Sequence, residues 1–113
     1  MVQHTTSDTR DGTEIASGVR LAHLAHGERL HATEVRLEPG GSADTHAHPH
    51  EQITYAVSGT VEMTIGDDEV TLTAGDAVHI PGDTPHSARN TGEDAATIVD
   101  MFTPPREDLL ESV

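Results

Sequence analysis

Two histidines one residue apart, His46 and His48, lie in the run Thr45-His46-Ala47-His48-Pro49-His50-Glu51-Gln52, just ahead of the apolar stretch Ile53 to Val57. On an extended strand, residues two apart point to the same side, so these imidazoles can present two nitrogens to one point. The chain has no cysteine. That excludes disulfides, thiolate nucleophiles and sulfur-ligated metals, and leaves imidazole, carboxylate and amide groups as ligands. In an acidic chain with nine histidines, placement of such a pair by chance or at the surface explains it equally well. His50 has the same parity and is a candidate fifth ligand, although such a residue more often bridges to a neighbour or meets solvent. His79, beside Ile80 and Pro81, reads as structural or as a residue at the mouth of a barrel. His4, His23, His26 and His31 have no metal-like partners at useful spacing and read as surface or core-edge histidines.

A second chemical signal closes the chain. In Asp100-Met101-Phe102-Thr103-Pro104-Pro105-Arg106-Glu107-Asp108-Leu109-Leu110, strand alternation sends Asp100 and Phe102 to one side, against Met101. An acid and an aromatic facing the same way at the end of an apolar strand point to a pocket. On composition alone, a solvent-facing edge accounts for the pattern slightly better.

The elements that must position these residues are short strands. Val19 to Ala25, Leu30 to Leu37, Ile53 to Val57, Val61 to Ile65, Val70 to Thr73, Ala77 to Ile80 and Thr97 to Phe102 alternate imperfectly. Glu38-Pro39-Gly40-Gly41, Ser58-Gly59, Gly66-Asp67-Asp68, Ala74-Gly75-Asp76, Pro81-Gly82-Asp83 and Asn90-Thr91-Gly92 separate them as turns. Many short strands divided by Gly and Pro turns, with no alternation of strand and helix, define an all-β sandwich or barrel. One short helix is expected after the last strand, capped by Thr103, opened by Pro104 and Pro105 and favoured at its positive end by Glu107 and Asp108. At 113 residues the chain fits one core. Residues 1–12 read as a flexible arm and residues 13–113 as the domain.

Twenty acidic residues against six basic ones, all arginine, give a formal charge of -14. Such a surface disfavours nucleic acid and anionic lipid and, at low salt, repels itself. Salt at 1 M shortens the screening length to roughly 3 Å, so the composition fits a salt-rich, halophilic cytoplasm. No apolar run reaches the roughly 18 residues of a membrane span, and the start lacks a secretory pattern. A soluble, cytoplasmic protein is expected.

From about Arg36 to Phe102 the sequence resembles the cupin family. Gly40, His46, His48, Gln52 and Gly59 match the spacing of the first cupin motif, and Gly75, Pro81, His86 and Asn90 that of the second. Asp83 replaces the second motif's later glycine, which Asp tolerates through its ease with left-handed backbone. The resemblance implies a single-domain jelly-roll barrel, or double-stranded β-helix, and one divalent metal ion (Zn, Ni, Mn, Fe or Cu) held by His46, His48, Gln52 and His86. Gln52 stands where most cupins carry Glu. A neutral amide leaves the ion's charge uncancelled and favours polarisation of a substrate oxygen over redox chemistry.

The runs HAHPHEQITYAVSG and DMFTPPREDLL further resemble the KdgF family of small cupins, which open 4,5-unsaturated uronates to linear keto sugars in pectin and alginate breakdown. That resemblance implies substrate roles for Asp100 as proton shuttle, Phe102 as a packing surface for the sugar and Arg106 as a grip on its carboxylate. Other readings keep the metal and change the chemistry to that of a dioxygenase, lyase or polyketide cyclase, or keep only small-molecule binding. The expected partners are an anionic sugar and a second copy of the chain in a homodimer, with no nucleic acid and no membrane.

Overall fold

The computed structural model describes residues 2–113. Alternation between buried and exposed side chains carries the chain into ten strands. They are β1 (Thr13–Ala16), β2 (Val19–His26), β3 (His31–Leu37), β4 (Ser42–His46), β5 (Glu51–Ser58), β6 (Thr60–Ile65), β7 (Asp68–Thr73), β8 (Ala77–Ile80), β9 (His86–Asn90) and β10 (Ala96–Thr103). A single helix, α1 (Glu107–Ser112), follows. All pairings are antiparallel. They form a six-stranded sheet in the order β1-β2-β3-β10-β5-β8 and a four-stranded sheet in the order β4-β9-β6-β7. The all-β jelly roll with a short C-terminal helix is thus the architecture.

The inward faces meet in one core. Val19, Leu21, Val35, Leu37, Ala56, Ile80 and Ile98 of the larger sheet pack with Val61, Met63, Ile65, Leu72 and Ala88 of the smaller. Each of the Val, Leu, Ile and Met side chains among them contributes about 1.5–3 kcal/mol by leaving water. The core fills one end of the sandwich, and the polar residues that replace it on the same strand faces mark the other.

Several expectations change. The strands β1, β4 and β9 were not visible as alternation, because β1 is exposed throughout and the inward positions of β9 are His86, Ala88 and Asn90. Thr103 does not cap the helix. It is the last residue of β10, and the residue before α1 is Arg106, which makes no side-chain cap. β10 is no solvent edge, since it runs between β3 and β5 in the middle of the larger sheet. Residues 2–12 form no strand. They lie along β2 and β3 through a Gln3 contact to the His26 N–H, an Arg10–Glu34 ion pair and Arg20 donating to the Gly12 carbonyl. Among the described residues no helix is long and apolar enough to cross a membrane.

One turn, at Gly82 and Asp83, fixes the frame of the site. Asp83 adopts a left-handed backbone, φ 63°, as its place in the second motif requires. Its N–H donates to the His48 carbonyl at 2.7 Å. Beside it, a Cβ on Gly82 would stand 2.5 Å from the Pro49 carbonyl oxygen, so only glycine lets this turn abut the histidine loop.

Candidate metal centre

Register brings the ligand candidates together. β4 and β9 pair so that His46 faces His86, and His48 lies in the loop that leads into β5. Gln52 on β5 stands opposite Phe102 of β10. One nitrogen from each of His46, His48 and His86 lies within 4.8 Å of the others. His48 and His86 are buried, at 8% and 3% exposure, while His46 is exposed at the mouth.

Backbone carbonyls decide the tautomers. His46 Nδ1 lies 2.9 Å from the Asp44 carbonyl, His48 Nδ1 3.1 Å from that of His50, and His86 Nδ1 2.8 Å from that of Thr84. A carbonyl only accepts, so each Nδ1 carries the proton and donates it, and each Nε2 keeps a lone pair for the interior. Burial lowers the His48 pKa from 6.5 to about 4, with Arg106 and His86 acting in the same direction. Burial also lowers that of His86.

The amide of Gln52 is oriented just as firmly. Its Nε2 donates to Thr54 Oγ1 at 3.0 Å and to Asp100 Oδ1 at 3.1 Å. Oε1 is therefore turned to His48 Nε2, 3.0 Å away, and two lone pairs face each other. His86 Nε2 is buried without any hydrogen-bond partner. Opposed acceptors and an orphaned buried nitrogen are costly in a closed protein. A divalent cation satisfies all of them, so the donor set fits such an ion: three neutral imidazoles and a neutral amide.

Asp100 borders this set. Its Oδ1 accepts from Gln52 Nε2 and, at 2.6 Å, from Thr54 Oγ1. Burial raises its pKa, and the two hydrogen bonds and nearby His46 and Arg106 oppose that shift. Phe102 is 3% exposed, and its ring lies 5.1 Å from the Arg106 guanidinium carbon. Arg106 Nε and Nη2 form a fork on the Asp108 carboxylate at 2.9 and 2.7 Å. That fork holds the Asp108 pKa down to about 2. The Nη1–Nη2 edge is the one left to meet a ligand. All seven sequence-derived residues thus converge. His46, Gln52, His86, Asp100, Phe102 and Arg106 line a cavity of about 110 Å³ whose floor is apolar, with Val35, Leu37, Met63 and Ile98.

The outlying histidines divide. His50 stacks edge-on against His48 at 5.4 Å between centroids but is not one of the three clustered nitrogens. His79 is exposed and paired with Glu51 at 2.6 Å. His31, read as surface or core-edge, is 1% exposed, and Thr54 was not singled out at all. Parity held the signal for both: His31 and Thr33 alternate in phase with Val35 and Leu37, and Thr54 with Gln52 and Ala56.

A two-sheet jelly roll with three histidines and an amide converging at one end defines a cupin. The chain belongs to that family, whose cupin domain matches residues 33–102. It is similar to the pectin degradation protein KdgF of Dickeya dadantii, 25% identical over 97% of this chain and 100% of that one. The structure of KdgF from Halomonas sp. superimposes with a TM-score of 0.90 at 28% identity, covering 96% of this chain and 99% of that one. Protein SchB of Streptomyces halstedii is 36% identical over 65% of this chain, which spans only 55% of SchB.

Proposed function

We propose that the protein opens the ring of 4,5-unsaturated uronates, giving linear keto sugars in pectin or alginate breakdown. The observation that carries this reading is the joining of Asp100, through Gln52, to the histidine cluster, in one cavity with Phe102 and Arg106. Full-length similarity to two KdgF proteins supports it.

The substrate carries a hydroxyl on C1, a C4–C5 double bond on the ring-oxygen side and a carboxylate. Opening moves the C1 hydroxyl proton away, makes C1=O and breaks the bond from C1 to the ring oxygen. The electron pair passes through that oxygen and the double bond to C4, which takes a proton. The reaction is an isomerisation and needs no co-reactant. A divalent ion held by His46, His48, Gln52 and His86 would supply positive charge to stabilise the negative charge gathering on substrate oxygen. Asp100 moves the proton: Oδ1 is held by two donors, and Oδ2 receives no hydrogen bond from the described residues, so it is the oxygen that meets substrate. Arg106 takes the carboxylate through its Nη1–Nη2 edge. Phe102 packs on the ring face and excludes water.

Metal-loaded protein is incubated with unsaturated uronate made by a polysaccharide lyase, and loss of ultraviolet absorbance by the double bond is followed. Acceleration over the spontaneous rate is expected, with kcat reduced about 100-fold or more in Asp100→Asn. Asn keeps the acceptor for Gln52 and Thr54, so binding should persist. Arg106→Ala should mainly raise KM, by about tenfold. Equal and mild effects of the two substitutions would sink this division of roles.

The apolar floor favours a second reading, in which a cupin of cyclase or isomerase type takes a less polar ligand. Absence of acceleration on uronates with any divalent metal would shift the assignment there.

A further inference from the structure

Behind Arg106 lies a hydrogen-bonded chain that uses none of the metal-site histidines. The Arg106 backbone N–H donates to His31 Nδ1 at 3.1 Å. Because that nitrogen accepts, the His31 proton sits on Nε2, which is 2.9 Å from His23 Nδ1. His23 Nδ1 then accepts, its proton sits on Nε2, and Nε2 meets the Leu109 carbonyl at 3.2 Å. Backbone groups of fixed polarity stand at both ends, so only one arrangement of protons satisfies every link. The two ring planes lie within 20° of each other with centroids 5.1 Å apart, end to end, and His31 touches Phe102 at 5.8 Å between centroids.

Apart from partly buried Leu109 and Val113, which pack against the core, the segment this chain holds has few anchors of its own. α1 is six residues long, has no side-chain cap and contains no fully buried residue. Asp108, the other half of the Arg106 fork, has a side chain 60% exposed. A leucine at position 31 would fill the same space, but it would leave the Arg106 N–H unpaired against apolar surroundings.

We infer that His31 is a positioning residue for Arg106: with His23 it latches residues 106–109 across β3 and β2, and so sets where the guanidinium stands over Phe102. Its effect on turnover rests on the uronate reading, whereas the latch itself does not.

Asn, Gln and Leu at position 31 separate this role from simple packing. Asn places an oxygen where Nδ1 stood and keeps the acceptor for Arg106. Gln reaches to the Nε2 position and does not, and Leu offers no polar atom. Amide exchange of Arg106, read by NMR on the full chain, should be unchanged within about threefold in His31→Asn. It should be at least tenfold faster in His31→Gln and His31→Leu. KM for uronate should follow the same order, with kcat within about twofold. Imidazole 15N spectra should show Nε2–H forms for His31 and His23, against Nδ1–H for His46, His48 and His86. Equal exchange in all variants, or an Nδ1–H form of His31, would overturn the latch. Should position 31 variants fail to fold, His23→Leu, which removes the donor to the Leu109 carbonyl and the acceptor for His31 Nε2, must still speed Arg106 exchange, and its failure to do so would also overturn the latch. If wild type turns over no uronate, the substrate reading fails alone, since exchange and tautomers are read without substrate.

Discussion

His48 Nε2 and Gln52 Oε1 confront each other as acceptors at 3.0 Å, and His86 Nε2 has no partner. Their positions are held from outside, by the Asp44, His50 and Thr84 carbonyls and by Thr54 and Asp100, so the ligands cannot relieve the conflict by turning. An ion that relieves it binds only the folded state and raises stability by mass action, about 2.7 kcal/mol at a hundredfold excess over Kd. For a chain of this size that corresponds to a rise in Tm of about 10 °C. Thermal melts with and without divalent metal check it. The rise should vanish in His86→Ala, and a rise that survives that substitution would place the ion elsewhere.

Among elements, the two loops that carry the motifs depend on one another. The Gly82 turn lies against Pro49, and the Asp83 N–H holds the His48 carbonyl. Gly82→Ala forces the histidine loop away from the turn. Metal affinity is expected to fall at least tenfold in a titration, while most of the core survives. The β3–β2 latch makes a second expectation, in pH. Burial first, then His23, His26 and Arg106, lower the His31 pKa from 6.5 to about 4, with Asp108 acting against them. A histidine whose folded pKa is depressed leaves stability intact above 6.5. Stability is then lost as pH falls towards 4, because the unfolded chain takes up a proton that the folded chain refuses. By pH 5 the loss through His31 is roughly 2 kcal/mol. Denaturant melts at pH 7 and pH 5 should show that much less loss in His31→Asn than in wild type.

The same elements explain what the sequence disclosed. Alternation of large apolar residues exposed β2, β3, β5 to β8 and β10, because their inward faces are core. It failed on β9, whose inward positions carry His86 at the metal end and Asn90 at the other in place of large apolar groups, and on β4, which is largely exposed. Motif spacing recovered His46 and His86 there, through chemistry and not through hydropathy. His31 and Thr54 escaped for the opposite reason. They belong to well-formed strands, and a polar residue on an apolar face announces burial only when its parity is followed through the whole strand. Thr103 misled because β10 continues through Thr103 and consumes the residue that would have capped α1.

For the whole molecule, charge dominates. The chain carries twenty acidic side chains against six arginines, and of these Asp100 and Arg106 are buried, at 9% and 8% exposure. Self-repulsion of the exterior is long-ranged and weakens when the screening length falls from about 30 Å at 0.01 M salt to about 3 Å at 1 M. The unfolding midpoint should therefore rise with sodium chloride over that range, and an unchanged midpoint would remove the reason for proposing a salt-rich setting. The burial of Arg106 has a further result, in the timing of capture. An anion approaching from solution feels the acidic exterior first and the guanidinium only on entering the cavity. Salt erases the distant barrier and hardly touches the buried attraction. Association should quicken as ionic strength rises while the bound lifetime stays nearly constant, the reverse of the usual behaviour of an anion and its receptor.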